Sequence, residues 1–76
     1  MSETTPGRVH LDSTTLAAAM YDECRARLQL DFRDGARYAY SGVPPGLFRD
    51  LLSAGSKGTF FNRNIRGRFC HVKIQR

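Results

Sequence analysis

Tryptophan is missing altogether, cysteine occurs only twice and proline only three times in 76 residues. Two cysteines cannot build the cross-links of a disulfide-stapled secreted domain, so the cytoplasm is the expected compartment. No apolar run approaches the roughly 18 residues that a membrane helix needs. Residues 1–7 (MSETTPG) hold an acid and a proline but no apolar stretch, so no secretion signal is expected there either. Acidic residues also stop abruptly, because none follows Asp50.

What is present suits one small folded domain. The chain is 41% hydrophobic and 25% charged, ordinary values for a globular protein rather than a disordered one. At this length about 60–65% of the unfolded surface is buried on folding, too little for a second core or a deep enzyme cleft. The expected organisation is a disordered lead-in over residues 1–8 and a single domain over residues 9–76.

The net charge of +5 is unevenly placed. Residues 1–56 hold six basic and seven acidic side chains. Residues 57–76 hold six bases (Lys57, Arg63, Arg66, Arg68, Lys73 and Arg76) and no acid. A basic segment attached to a nearly neutral body points to a polyanionic partner, nucleic acid first.

Hydrophobic periodicity organises the middle of the chain. Residues 14–21 (TTLAAAMY) are ambiguous, since their alanines favour helix while the segment is short and Tyr21-Asp22-Glu23 reads as a turn. In residues 25–33, Leu28, Leu30 and Phe32 alternate with polar residues, the pattern of a half-buried strand. Asp34-Gly35 marks a hairpin with residues 36–41 as the returning strand. A two-residue loop sends Tyr38 and Tyr40 to the polar face. A three-residue loop with Gly35 as the bulge sets Leu30 against Tyr38 and Leu28 against Tyr40. The second register is expected because it gathers the apolar area on one side.

Val43-Pro44-Pro45 stops this strand and opens a helix whose stripe is Leu47, Phe48, Leu51 and Leu52, with Gly55 as its C′ residue. Ser56 is expected to cap a second helix that buries Phe61 and Ile65 and ends at Gly67. Residues 68–75 (RFCHVKIQ) alternate loosely and read as a last strand or an extended tail.

Chemistry-bearing motifs are sparse. Cys70 and His71 are adjacent, but neighbours in an extended segment point to opposite faces, so the expected reading is a half-buried thiol beside a surface imidazole. His10, Cys24, Cys70 and His71 match a zinc ligand count without the close spacing that preorganises a site, and no metal or other cofactor is expected. The carboxylates are scattered over turns, so no enzyme is expected. Gly55-Ser56-Lys57-Gly58 suggests either a phosphate cradle or a plain connector between two helices, and it lacks the first glycine of a P-loop.

Residues 57–68 (KGTFFNRNIRGR) interleave bases with aromatics. On a helix, Asn62 and Arg66 share the solvent side with Arg63 while Phe61 and Ile65 bury. Such a face meets phosphates through its charges, and Phe60 either stacks a base or packs under the sheet.

Taken in order, Ser13-Thr14, Leu16, Tyr21-Asp22, Gly35, Tyr38-x-Tyr40, Val43-Pro44, Phe48, Leu51, Ser56-x-Gly58-x-Phe60-Phe61-Asn62 and Ile65 resemble the KTSC domain family, over residues 13–69. That family is named for its occurrence at the C-terminus of some lysyl-tRNA synthetases and also occurs as small stand-alone bacterial proteins. Met20 departs from a common glycine and Phe60 from a common tyrosine. The resemblance implies a compact α+β domain in which residues 14–21 form a first strand, and it suggests RNA as the partner.

The expected architecture is therefore a three-stranded antiparallel β-meander with two short helices packed on one face. The expected function is a non-catalytic RNA-binding module using Lys57, Asn62, Arg63, Arg66 and Arg68, assisted by Tyr38. The alternative is a protein-interaction module docking its basic face on an acidic surface of a larger bacterial or phage machine. The chain is expected to be a monomer or a weak homodimer.

Overall fold

The computed structural model describes residues 9–74, so the lead-in expected over residues 1–8 lies outside the described residues. The chain runs β1 (Val9–His10), β2 (Leu16–Asp22), β3 (Arg27–Phe32), β4 (Arg37–Ser41), α1 (Pro45–Ser53), α2 (Lys57–Asn64) and β5 (Cys70–Lys73). The strands form one antiparallel sheet in the order β1-β2-β3-β4-β5. The α+β class and the two helices match the expectation, but the sheet has five strands rather than three. The two additional strands are its edges: a two-residue β1, and a β5 that is exposed along its whole length. Neither edge buries a face, so β1 carries no alternation and that of residues 68–75 is only loose; of the two readings of that segment, last strand or extended tail, the structure has the strand.

Residues 14–21 resolve to strand. Ser13 accepts backbone hydrogen bonds from Thr15 and Leu16 through its Oγ, fixing a turn just before β2. A bulge between Leu16 and Ala18 then shifts the β2 register against β3. Because of this extra residue, Leu16, Ala19 and Tyr21 all reach the core although they do not alternate strictly.

The β3–β4 hairpin adopts the three-residue loop. Leu30 lies opposite Tyr38 and Leu28 opposite Tyr40, while the Phe32 N–H donates to the Ala36 carbonyl and the Gly35 N–H to the Phe32 carbonyl. Gly35 has φ +94°, a left-handed conformation that glycine adopts without cost.

Both helices cover the same face of the sheet. Leu16, Leu28, Leu30, Val43, Leu51 and Ile65 are fully buried between the layers. Phe48 of α1 stacks on Tyr21 with ring centroids 5.1 Å apart, and Phe61 of α2 meets Tyr40 and Phe32 edge-on at 5.8 and 5.3 Å. Burial of these side chains at about 25 cal/mol per Å² is the main force holding the layers together. Tyr21 completes the α1 side by donating its hydroxyl hydrogen bond to the Val43 carbonyl.

The helix ends differ from one another. Ser56 caps α2 as expected, its Oγ accepting from the Thr59 N–H at 3.4 Å, and Gly67 follows the helix with φ +74°. α1 instead ends with Ala54 in an extended conformation. Gly55 is absent from the positive-φ residues, so it is not the left-handed C′ residue expected there. On the uncovered face, Gln29 and Arg37 both reach Asp31, at 3.2 and 3.7 Å, beside the small buried side chains of Ala18 and Ala39.

Candidate nucleic-acid interface

The hairpin register and the β4–β5 pairing together build an aromatic groove. Cross-strand partners share a face. With Leu28 and Leu30 committed to the core, Tyr38 and Tyr40 also face the helices, and β5 sets His71 opposite Tyr40 and Lys73 opposite Tyr38. The His71 ring lies 5.6 Å from that of Tyr38 and 5.4 Å from that of Tyr40. α2 closes the other side, because Phe61 is anchored in the core while Asn62 and Arg66, four residues apart, stay exposed. Arg66 Nη1 donates to Asn62 Oδ1 at 3.4 Å. The result is a groove of about 660 Å³ whose walls are Phe32, Tyr38, Tyr40, Phe61 and His71, with Asn62 and Arg66 at its rim.

A second, more polar cleft of about 390 Å³ lies beside the first turn of α2, lined by residues 12–15 and 55–59. Thr15 and Asn62 line both openings, so the two adjoin. The 55–58 segment serves as the helix connector. Ser56 caps α2, and Lys57 turns its Nζ back to the Ala54 carbonyl at 3.0 Å. At Gly58 a Cβ would sit 2.9 Å from Thr15 Oγ1, so only glycine lets α2 approach the strand this closely.

The six residues singled out from the sequence separate into two groups. Tyr38, Asn62 and Arg66 line the groove, and Lys57 lines the adjoining cleft with Asn62. Arg63 and Arg68 line neither opening. Both are exposed, and Arg68 Nε donates to the Arg63 carbonyl at 2.9 Å. Phe60 is half-buried and packs against the core. Cys70 is exposed rather than half-buried, and its ladder position places it on the opposite face from His71. Among the described residues, no three His, Cys, Asp or Glu side chains gather where a metal ion could be held, and no helix is long and apolar enough to cross a membrane.

Four wall residues, Phe32, Tyr40, Phe61 and His71, were missing from the sequence-derived site, and His71 was the one not already read as part of the apolar face. The available signal was the spacing of residues 68–75: pairing them antiparallel with residues 37–41 places an imidazole beside the tyrosines. Tyr40 is 4% exposed. Burial pushes its phenol above the usual tyrosine range, Tyr38 pushes in the same direction, and the nearby Arg66 charge opposes them.

Comparison with known proteins agrees with this architecture. The KTSC domain family model matches residues 12–69. A protein of Tsukamurella paurometabola is 44% identical over 64 residues, which cover 84% of this chain and 96% of that protein. A lysine–tRNA ligase of Nostoc punctiforme is 41% identical over 49 residues, which cover 64% of this chain but 9% of the ligase. The crystal structure of a KTSC domain protein from Yersinia pestis superposes with a TM-score of 0.87 at 36% identity, covering 91% of this chain and 97% of that one.

Proposed function

The chain belongs to the KTSC domain family, and on that premise we propose that it is a small, non-catalytic, cytoplasmic module that binds unpaired RNA. The observation that carries this reading is the aromatic groove with a cation at its rim. Tyr38 and His71 offer π-faces to a base, while Arg66 supplies charge to the backbone. Stacking on such faces is worth about 1–3 kcal/mol per base and tolerates any sequence. Phosphate contacts add affinity without readout, so no sequence preference is assigned.

Two further facts support the reading. The excess positive charge lies in residues 57–76, which supply α2, the groove rim and β5. A similar stretch occurs within a lysine–tRNA ligase. The non-catalytic part of the proposal rests on the thiol and imidazole of Cys70 and His71, which face opposite sides of the sheet and so do not meet as nucleophile and base.

Fluorescence anisotropy of a labelled single-stranded RNA decamer across a salt series tests this function. Affinity is expected to fall linearly on logarithmic axes, and Arg66→Ala to reduce the slope by about 0.7, one single-strand phosphate contact. Arg49→Ala, an exposed charge on the other helix, leaves the slope unchanged. Absence of binding at low salt, or binding indifferent to salt, would overturn the proposal and favour docking on an acidic protein surface.

A further inference from the structure

Tyr21 and Tyr40 are both buried tyrosines, 8% and 4% exposed, yet only one has a hydrogen-bond partner. The Tyr21 hydroxyl donates to the Val43 carbonyl. Among the described residues, the Tyr40 hydroxyl has none. Enclosed phenols ordinarily find a partner. Every fully buried side-chain nitrogen or oxygen among these residues is satisfied, so the Tyr40 hydroxyl is not sealed in the core. It is the part of the side chain that reaches the groove.

The groups around it are mostly donors. Arg66 pairs with no carboxylate among the described residues, and its charge acts on the Tyr40 phenol. Asn62 accepts from Arg66 through Oδ1, which leaves its amide N–H groups to donate. Tyr38, half-buried on the same wall, also has an uncommitted hydroxyl. Convergent phenol, guanidinium and amide donors call for a ligand rich in acceptor oxygens and negatively charged. Asp34 also lines the groove, at its hairpin end, with Oδ1 accepting from the Ala36 N–H at 3.0 Å, so the acceptor-rich end of a ligand belongs at the Arg66 side. The groove is open to solvent along one side, and its volume of about 660 Å³ is enough to admit a small ligand.

We propose that the groove holds a single nucleotide, its phosphate between the Tyr40 hydroxyl and the Arg66 guanidinium and its base against Tyr38 and His71. This rests on the RNA-binding reading and goes further than it, because one nucleotide then suffices as ligand and Tyr40 becomes a binding residue rather than a purely structural one.

The test is a set of amide-shift titrations of the full chain with adenosine 5′-monophosphate, with adenosine and with a single-stranded adenylate decamer. The monophosphate is expected to shift Tyr38, Tyr40, Arg66 and His71 and to bind at least about tenfold more tightly than adenosine, the scale of a charge-assisted pair. Tyr40→Phe retains the ring and is expected to lower monophosphate affinity about five- to tenfold while leaving adenosine unchanged. Arg66→Ala, at an exposed position, gives the same loss with no burden on the core. Equal affinity for monophosphate and adenosine, or a Tyr40→Phe variant whose preference for the monophosphate is undiminished, overturns the inference. So do shifts confined to residues 55–59. Decamer binding without monophosphate binding removes the nucleotide site and leaves the RNA-binding function standing, whereas loss of both removes both.

Discussion

The two helices resemble each other in length and differ in what they leave exposed. α1 has nine residues and α2 has eight, each carries glycine at its second position, and both pack on the same face of the sheet. α1 lays a broad stripe on the sheet, with Leu51 fully buried and Leu47, Phe48 and Leu52 packed around it. Its outward Arg49 and Asp50 offset each other. α2 is anchored by Phe61 and, just beyond its last turn, Ile65. Its exposed residues are Thr59, Asn62 and Arg63, with no acid among them. The helix that commits fewer positions to the core is the one that borders the groove. In a domain this small, a binding surface comes from the element with packing positions to spare.

The largest way to break this comparison is to remove one anchor from each helix. Leu51→Ala and Phe61→Ala are each expected to cost about 3–5 kcal/mol in denaturant unfolding, against a total of about 5–10 kcal/mol for a domain of this size. Binding separates them, because RNA affinity per folded molecule survives Leu51→Ala and falls in Phe61→Ala, which removes a wall of the groove.

The paired glycines give the next effect. Gly58→Ala is expected to destabilise by about 1–3 kcal/mol, since the new methyl meets Thr15 Oγ1 at 2.9 Å. Gly46→Ala meets only the end of Arg49, at 3.9 Å, and is expected to stabilise by up to about 1 kcal/mol through the unfolded state. Thermal midpoints moving in opposite directions confirm the contrast, and midpoints moving together refute it.

Ser56→Ala removes the one side-chain N-cap of the two helices and should cost about 1 kcal/mol, a fall of roughly 4–8 °C in Tm. An unchanged Tm would show that the 3.4 Å cap contact carries no stability.

The smallest effect is in alkali. Tyr21 lies under α1, where burial first, and then Glu23 and Asp22, raise its phenol above the ordinary 10.0. Tyr40 lies under α2 and is also raised, with burial again the first cause. A folded-state pKa above the unfolded value means the folded chain retains protons that the unfolded chain has lost. The stability contributed is therefore complete below about pH 10 and declines as pH rises above it. Unfolding measured from pH 9 to 11 should show this fall, and Arg66→Ala should move the Tyr40 phenolate absorbance to still higher pH.

Much of the interior was legible because burial imposes periodicity. The alternation of Leu28, Leu30 and Phe32, the Asp34-Gly35 loop, the Leu51 stripe and the Phe61–Ile65 spacing all report one buried face. Strand β2 was obscured by its bulge, which breaks the two-residue period within the alanines. The edges were obscured for the opposite reason: Val72 is 57% exposed, and a strand with no buried face carries at most the loose alternation that left residues 68–75 between strand and tail. The site was half legible. Counting charge located the basic segment, but it could not separate Arg66, on the groove, from Arg63 and Arg68, which lie outside it. That separation depends on side-chain direction at the end of α2. His71 joins the groove only through a strand pairing that leaves little trace in composition.

The strand order also has a kinetic side. β1, β2 and β3 each pair with the strand that directly follows in the chain, whereas β5 reaches β4 only after both helices have been laid down between them. Closing that longer loop costs more entropy, and the pairing it secures lies at an open edge. Amide exchange at Ile74, bonded to the Arg37 carbonyl, should therefore outpace exchange within β3. The His71 wall is then expected to open more readily than the core, so the groove can come apart and re-form while the core stays folded.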